Sequence, residues 1–237
     1  MKSIATHGAA LALAALVLCG YAPHAANAAE TQLYETGPSD DASFLRFVNG
    51  TGAPVTVVPE NRQARIVLDN AKPATDFLPV KARTAIAGTV EQAAARAAVS
   101  VRVDAGAFAT VVVLADAAGG LKTVTIAEKP DDFNGLKASL AFYNLDPSCT
   151  QASLMAAGRN VAIAQDVAPG SLKRRDINAV ALAVQGACGG QAAGAPLDLG
   201  QLQAGKRYSV LLVPGNAGGA TASAGPRLIR ADDTLAR

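Results

Sequence analysis

Two short apolar runs, each closing on an asparagine, constrain the architecture more than any other feature of the chain. Residues 43–49 read SFLRFVN and residues 137–144 read KASLAFYN. In the first, Phe44, Arg46 and Val48 alternate with Ser43, Leu45 and Phe47. Bulky groups on both faces predict a strand buried on both sides or lying near the centre of a sheet. Turn chemistry follows each run at once: Asn49-Gly50-Thr51-Gly52 after the first and Asp146-Pro147-Ser148 after the second. Each half then carries short strands and a proline-containing turn. Each also has a late strand ending in consecutive aliphatics, Val111-Val112-Val113-Leu114 and Val210-Leu211-Leu212-Val213. The echo predicts an all-β protein of two tandem small β-sandwich-like domains, each too short for full βαβ crossovers. One continuous sandwich is the competing reading.

Residues 128–135, EKPDDFNG, are dense in chain breakers and set the boundary, giving domains over 29–130 and 131–215. Residues 216–237, rich in glycine and alanine, read as a flexible tail in which 226–230, PRLIR, docks locally at most. Residues 89–98 are alanine-rich and fit either a helix or a hairpin arm.

The N-terminus has Lys2, an apolar run from Ala9 to Cys19 and then Ala26-Asn27-Ala28, which predicts a signal peptide over 1–28. The apolar run is shorter than the ~20 residues that span a bilayer, and no later segment reads as integral to the membrane. Removing 28 of 237 residues leaves 209, with 20 basic and 19 acidic side chains. That balance argues against nucleic-acid binding, which needs a concentrated basic surface. Export favours pairing of the two remaining thiols, Cys149 and Cys188, as a disulfide. Two separate buried thiols are the alternative.

Both histidines, His7 and His24, fall within the expected signal peptide. The mature chain therefore lacks the imidazole of a Ser-His-Asp or Cys-His triad and of the common transition-metal sites. No glycine-rich phosphate loop is present, and no cofactor is expected. Carboxylate chemistry needs no histidine, but Asp40-Asp41, Asp131-Asp132 and Asp232-Asp233 all sit among breakers and read as solvated turns. The candidate partner-binding residues are Tyr34, Arg46, Asn49, Lys173, Arg174, Arg175, Asp176 and Asn178. Arg46 interrupts an apolar strand, which also fits an ion-paired residue at a sheet edge. Residues 173–176 follow a turn and read as exposed, suited to an acidic protein surface or an anionic polysaccharide.

In order along the chain, several segments resemble the AlgF family, accessory proteins of bacterial alginate O-acetylation. They are Leu33-Tyr34, Gly37-Pro38, SFLRFVN, Lys137-Ala138-Ser139-Leu140 with Asn144-Leu145, Ala168-Pro169-Gly170-Ser171, Arg175-Asp176-Ile177-Asn178, and Tyr208 to Val213. The resemblance implies two joined β-sandwiches and a periplasmic protein that is not itself the acetyltransferase. It also implies partners among the membrane-anchored and periplasmic polysaccharide O-acetyltransferase components. The alanine-rich stretch 82–98 and the Cys149–Cys188 pair depart from the typical member and leave open whether the polymer is alginate or another acetylated exopolysaccharide such as cellulose. The competing readings are a module binding an anionic polysaccharide and, less favoured, a carboxylate-dependent acetyl-handling enzyme.

Overall fold

A strand that is apolar at every position needs cover on both faces, and the fold supplies it. The computed structural model describes residues 42–60, 63–129, 134–159, 161–215 and 225–236. The expected signal peptide, Tyr34, Asp40-Asp41 and Asp131-Asp132 lie outside the described residues. The chain clusters into two units, Met1–Thr36 and Gly37–Arg237, and all the described residues belong to the second.

Every regular element among the described residues is a strand. The first half contributes β1 (Ala42–Asn49), β2 (Val55–Pro59), β3 (Ile66–Leu68), β4 (Leu78–Lys81), β5 (Ile86–Gln92), β6 (Ala95–Val101), β7 (Phe108–Ala115) and β8 (Leu121–Glu128). The second contributes β9 (Ala138–Asn144), β10 (Ala152–Ala156), β11 (Val161–Val167), β12 (Ser171–Ile177), β13 (Ala181–Cys188), β14 (Gln191–Gln201), β15 (Arg207–Val213) and β16 (Arg227–Asp232).

The echo in the sequence is a duplication of topology. One first-half sheet runs β4-β1-β7-β8 and the other β3-β2-β5-β6; the second half repeats this as β12-β9-β15-β16 and β11-β10-β13-β14. Each strand has its counterpart eight elements later. The asparagine-ended strand is parallel to the late aliphatic strand in both halves, β1 with β7 and β9 with β15. The sheets containing β1 and β9 are the inner pair, and the other two are the outer pair.

Alternation along the central strands explains their composition. Leu45, Phe47, Val111 and Val113 pack toward the outer sheet of the first half. Leu140, Phe142, Val210 and Leu212 do the same in the second. The intervening residues Val48, Val112, Leu114, Ala141, Tyr143, Leu211 and Val213 form a third cluster shared by the two inner sheets. Both central strands of each inner sheet are thus dry on both faces, as SFLRFVN predicted.

The asparagines end these strands by holding the next loop. Asn49 Nδ2 donates to the carbonyls of Ala53 (2.8 Å) and Leu68 (3.0 Å), while its Oδ1 accepts from Thr51 N. Asn144 repeats the pattern with Cys149 O (2.7 Å), Val167 O (2.9 Å) and Asp146 N. Cys149 and Cys188 form a disulfide with Cα atoms 5.5 Å apart, tying this loop to the end of β13. The alanine-rich 89–98 stretch resolves as a β5–β6 hairpin, register Ile86↔Val101 to Gln92↔Ala95, because Val90 and Val99 fill the first-half core.

The expectation of a flexible tail over 216–237 is corrected for its second part. Residues 227–232 form β16, paired antiparallel with β15 along six positions. Ile229 and Ala231 bury their side chains between the inner sheets. Beyond β16 the chain crosses to the first half: Phe77 N donates to Thr234 O (2.8 Å) and Ala236 N donates to Phe77 O (2.9 Å). Arginines at 227 and 230 hid this strand, since only alternate positions of an edge strand face the core.

Candidate functional site

The inner sheets meet around a cluster of charged and hydroxyl side chains drawn from both halves. Arg46, at the centre of β1, is fully buried. Its Nε donates to Thr110 Oγ1 (2.9 Å), its Nη1 to Asp233 Oδ1 (2.7 Å) and its Nη2 to Ser209 Oγ (2.8 Å), with Tyr143 Oη at 3.4 Å. The guanidinium carbon lies 4.4 Å from the Phe77 ring centroid, a cation–π contact in a desolvated site. Ser209 Oγ in turn donates to Asp233 Oδ1 (2.6 Å).

A second arginine completes the cluster. Arg174 Nη2 donates to Asp233 Oδ2 (2.8 Å), and its Nε and Nη2 form a fork onto Glu128. Tyr143 Oη donates to Glu128 Oε2 (3.2 Å), and Arg207 Nη2 donates to Glu128 Oε1 (3.3 Å). Arg46, Thr110 and Glu128 come from the first half and the rest from the second. No buried side-chain nitrogen or oxygen among the described residues lacks a partner. A buried polar network is tolerable only when fully satisfied in this way.

The electrostatics follow from burial working against pairing. Burial alone would raise the Asp233 pKa, but the Arg46 and Arg174 charges and the Ser209 hydrogen bond outweigh it and hold the carboxyl below its ordinary range. Burial pulls the Arg174 pKa down, and Glu128 and Asp233 more than reverse that, so it stays cationic. Tyr143 is pushed up, first by burial and then by the Glu128 and Asp233 charges, against the lowering effect of Arg46. The phenol is thus held as a neutral donor. Carboxylate, serine and tyrosine lie together here, yet each is held by a guanidinium or a hydroxyl neighbour inside the joint between the halves.

The candidate partner-binding residues separate cleanly. Arg46, Arg174 and Asn49 are interior and bonded. Arg46 lies at a sheet centre and not at an edge, and Arg174 is not exposed as expected, because alternation along β12 turns it and Leu172 toward the inner cluster. Lys173 and Arg175 point the other way and are exposed, as are Asp176 and Asn178. Asp233, expected in a solvated turn, is the buried counter-ion of two arginines. A lone arginine inside an apolar strand signals a hidden acid, but nothing in the sequence says that the acid is Asp233 or that Glu128, Tyr143, Ser209 and Arg207 join it.

No cluster of three or more His, Cys, Asp or Glu able to hold a metal occurs among the described residues. A family model described as alginate O-acetyl transferase AlgF matches residues 14–208. The chain belongs to the AlgF family. Membership associates the protein with alginate O-acetylation, a family role exercised outside the cytoplasm. No curated protein matches the chain. Among solved structures, the C-terminal domain of AlgF from P. aeruginosa is similar at 20% identity and TM-score 0.32, covering 41% of this chain and 98% of that one. A protein described as a cell-adhesion protein from Bacteroides uniformis is similar at 10% identity and TM-score 0.26, covering 82% of this chain and 98% of that one.

Exposed apolar and charged groups coincide at one end of the second half of this AlgF-family protein. The edge strands β11 and β12 of the second half flank a cleft of about 280 Å³ lined by Lys137, Val161, Ile163, Arg175, Asp176 and Asn178. Val161 (58% exposed), Val180 (47%) and Leu136 (87%) are the large exposed apolar residues in this stretch of chain. No helix among the described residues is long and apolar enough to cross a membrane.

Proposed function

We propose that the protein is a non-catalytic periplasmic adaptor in the O-acetylation of alginate or a related exopolysaccharide, holding membrane-anchored and periplasmic acetyltransferase components together. The observation that carries this reading is the state of the Asp233, Glu128, Ser209 and Tyr143 cluster. Its acid–base groups are buried, mutually bonded and neutralised by Arg46 and Arg174. A nucleophile or general base works through an unengaged group beside its substrate, whereas here both carboxylates are held by guanidinium groups and Ser209 and Tyr143 donate to them. Their work is to fix one sandwich on the other, which sets the spacing between surfaces on two domains divided near residue 130.

The partner-binding face we assign is the β11–β12 edge of the second half. There Val161 and Ile163 line the cleft with Lys137, Arg175, Asp176 and Asn178, and the exposed Leu136 and Val180 lie next to Lys137 and two residues past Asn178 in the chain, apolar and polar groups of the kind that an interface combines. The partner is an acetyltransferase component presenting apolar and acidic side chains. Lys173→Glu/Arg175→Glu should weaken capture of that component about tenfold or more, because like charges then meet across the interface. Acetyl transfer by the purified protein alone onto a polyuronate, retained at high turnover, would overturn the reading.

A further inference from the structure

The sandwich of the first half stands open along an edge that its counterpart keeps narrow. In the second half, β11 and β12 are seven residues each and are joined by a short turn, residues 168–170. The cleft beside them holds about 280 Å³, with Arg175, Asp176 and Asn178 in its wall. In the first half, the equivalent β3 and β4 have three and four residues, and the chain between them runs from 69 to 77. The cleft along this edge holds about 510 Å³ and reaches Leu45, Phe47 and Val57 of the first-half core.

The lining decides what chemistry this cleft can take. Among the described residues that line it, Lys81 alone has a polar side chain; the others offer aliphatic, aromatic, proline, alanine or glycine surface. A sugar or a nucleotide would give up its hydrogen bonds to water on entering and find no replacement. An extended peptide fares no better. Phe44 N donates to Ala107 O, away from β4, so its register partner Pro79 turns its backbone to the free edge, where proline has no N–H to offer. Phe77, two residues earlier, is already bonded to Thr234 and Ala236. The edge is therefore no template for an added strand.

Lys81 supplies the remaining constraint. It is exposed at the rim of the cleft and forms no ion pair with another described residue. A single cation beside an apolar slot complements an apolar chain that carries one anionic group at its end.

We propose that this cleft is a binding site for a single-chain alkyl carboxylate, the chain lying between the two sheets over Leu45, Phe47 and Val57 and the carboxylate at Lys81. This inference does not depend on the adaptor reading, whose partner face lies on the second half.

The test is calorimetry and methyl NMR on the exported protein with monomeric hexanoate, octanoate and decanoate. Each methylene buried in the slot should tighten binding about fourfold, so each step in this series gives about fifteenfold. The Val57, Val80 and Ile86 methyl resonances should shift to saturation, and those of Val184 and Leu212 in the second half should stay in place. Lys81→Met, a change at an exposed side chain, should weaken decanoate about two- to fivefold and leave decanol binding unchanged. Val80→Trp, which fills the mouth, should abolish binding of both. Cleft methyls that do not saturate, or an affinity indifferent to chain length, would overturn the proposal. So would binding to anionic phospholipid vesicles without binding of the monomeric probes, which marks a membrane surface as the ligand. Cleft methyls that shift with protein concentration in the absence of probe would also overturn it, since they mark a second copy as occupant.

Discussion

Replacing Arg46 with methionine should destabilise the protein by about 3 kcal/mol. Methionine keeps most of the stem volume against Phe77 but removes the guanidinium, which is fully buried and bonded to Thr110, Asp233 and Ser209. Breaking a buried ion pair by deleting one partner costs about 3–5 kcal/mol, chiefly because a charge is left uncompensated. Asp233 retains Arg174 and Ser209, which places this case near the lower end. For a protein of this size the loss corresponds to a fall in Tm of about 6–12 °C. Urea unfolding followed by circular dichroism reads it directly, with Arg175→Met as the control. Arg175 is exposed, and its replacement should stay within about 0.5 kcal/mol. An Arg46→Met variant within about 1 kcal/mol of wild type would refute the idea that this network holds the halves together.

Asp233 makes stability depend on pH with a definite sign. Its folded pKa is depressed, so its contribution is present above the unfolded value of about 3.9 and lost as pH falls through the folded one. Urea midpoints should be flat from about pH 7 to 5 and drop below about pH 4, and Asp233→Asn should flatten that drop while lowering the plateau. Cys149→Ala/Cys188→Ala opens a loop of 39 residues and should cost about 2–4 kcal/mol, with the change in proteolysis falling in the second half. Gly50→Ala should cost about 1–3 kcal/mol by calorimetry, because a Cβ there would meet Leu114 Cδ2 at 2.6 Å and Val113 O at 2.9 Å.

The fold was legible where one residue type at one spacing admits few structures. Short runs with bulky apolar groups on both alternating faces suit strands covered on both sides, and SFLRFVN, KASLAFYN and RYSVLLV all take that place. The repeated asparagine announced a repeated loop, and Asn49 and Asn144 build it with the same bonds. Less legible were strands with one wet face. β16 carries arginines among its few apolar positions and lies after a glycine-rich stretch, so it resembled a tail. The polar network was half legible. An arginine in a dry strand demands a partner, but the partner here lies 187 residues away, a distance no local pattern spans. Sequence proximity also misled at residues 173–176, where strand alternation sends neighbouring cations to opposite faces, Arg174 inward and Lys173 and Arg175 outward.

Acetyl content of the exported polymer, measured in cells carrying Lys173→Glu/Arg175→Glu in place of the native residues, tests the adaptor reading most directly. These side chains lie outside the buried network, so the variant folds and accumulates normally. The account predicts polymer with most of its acetyl groups lost and an acetyltransferase component no longer retained on the purified variant. Fully acetylated polymer, together with undiminished retention of that component, would contradict it.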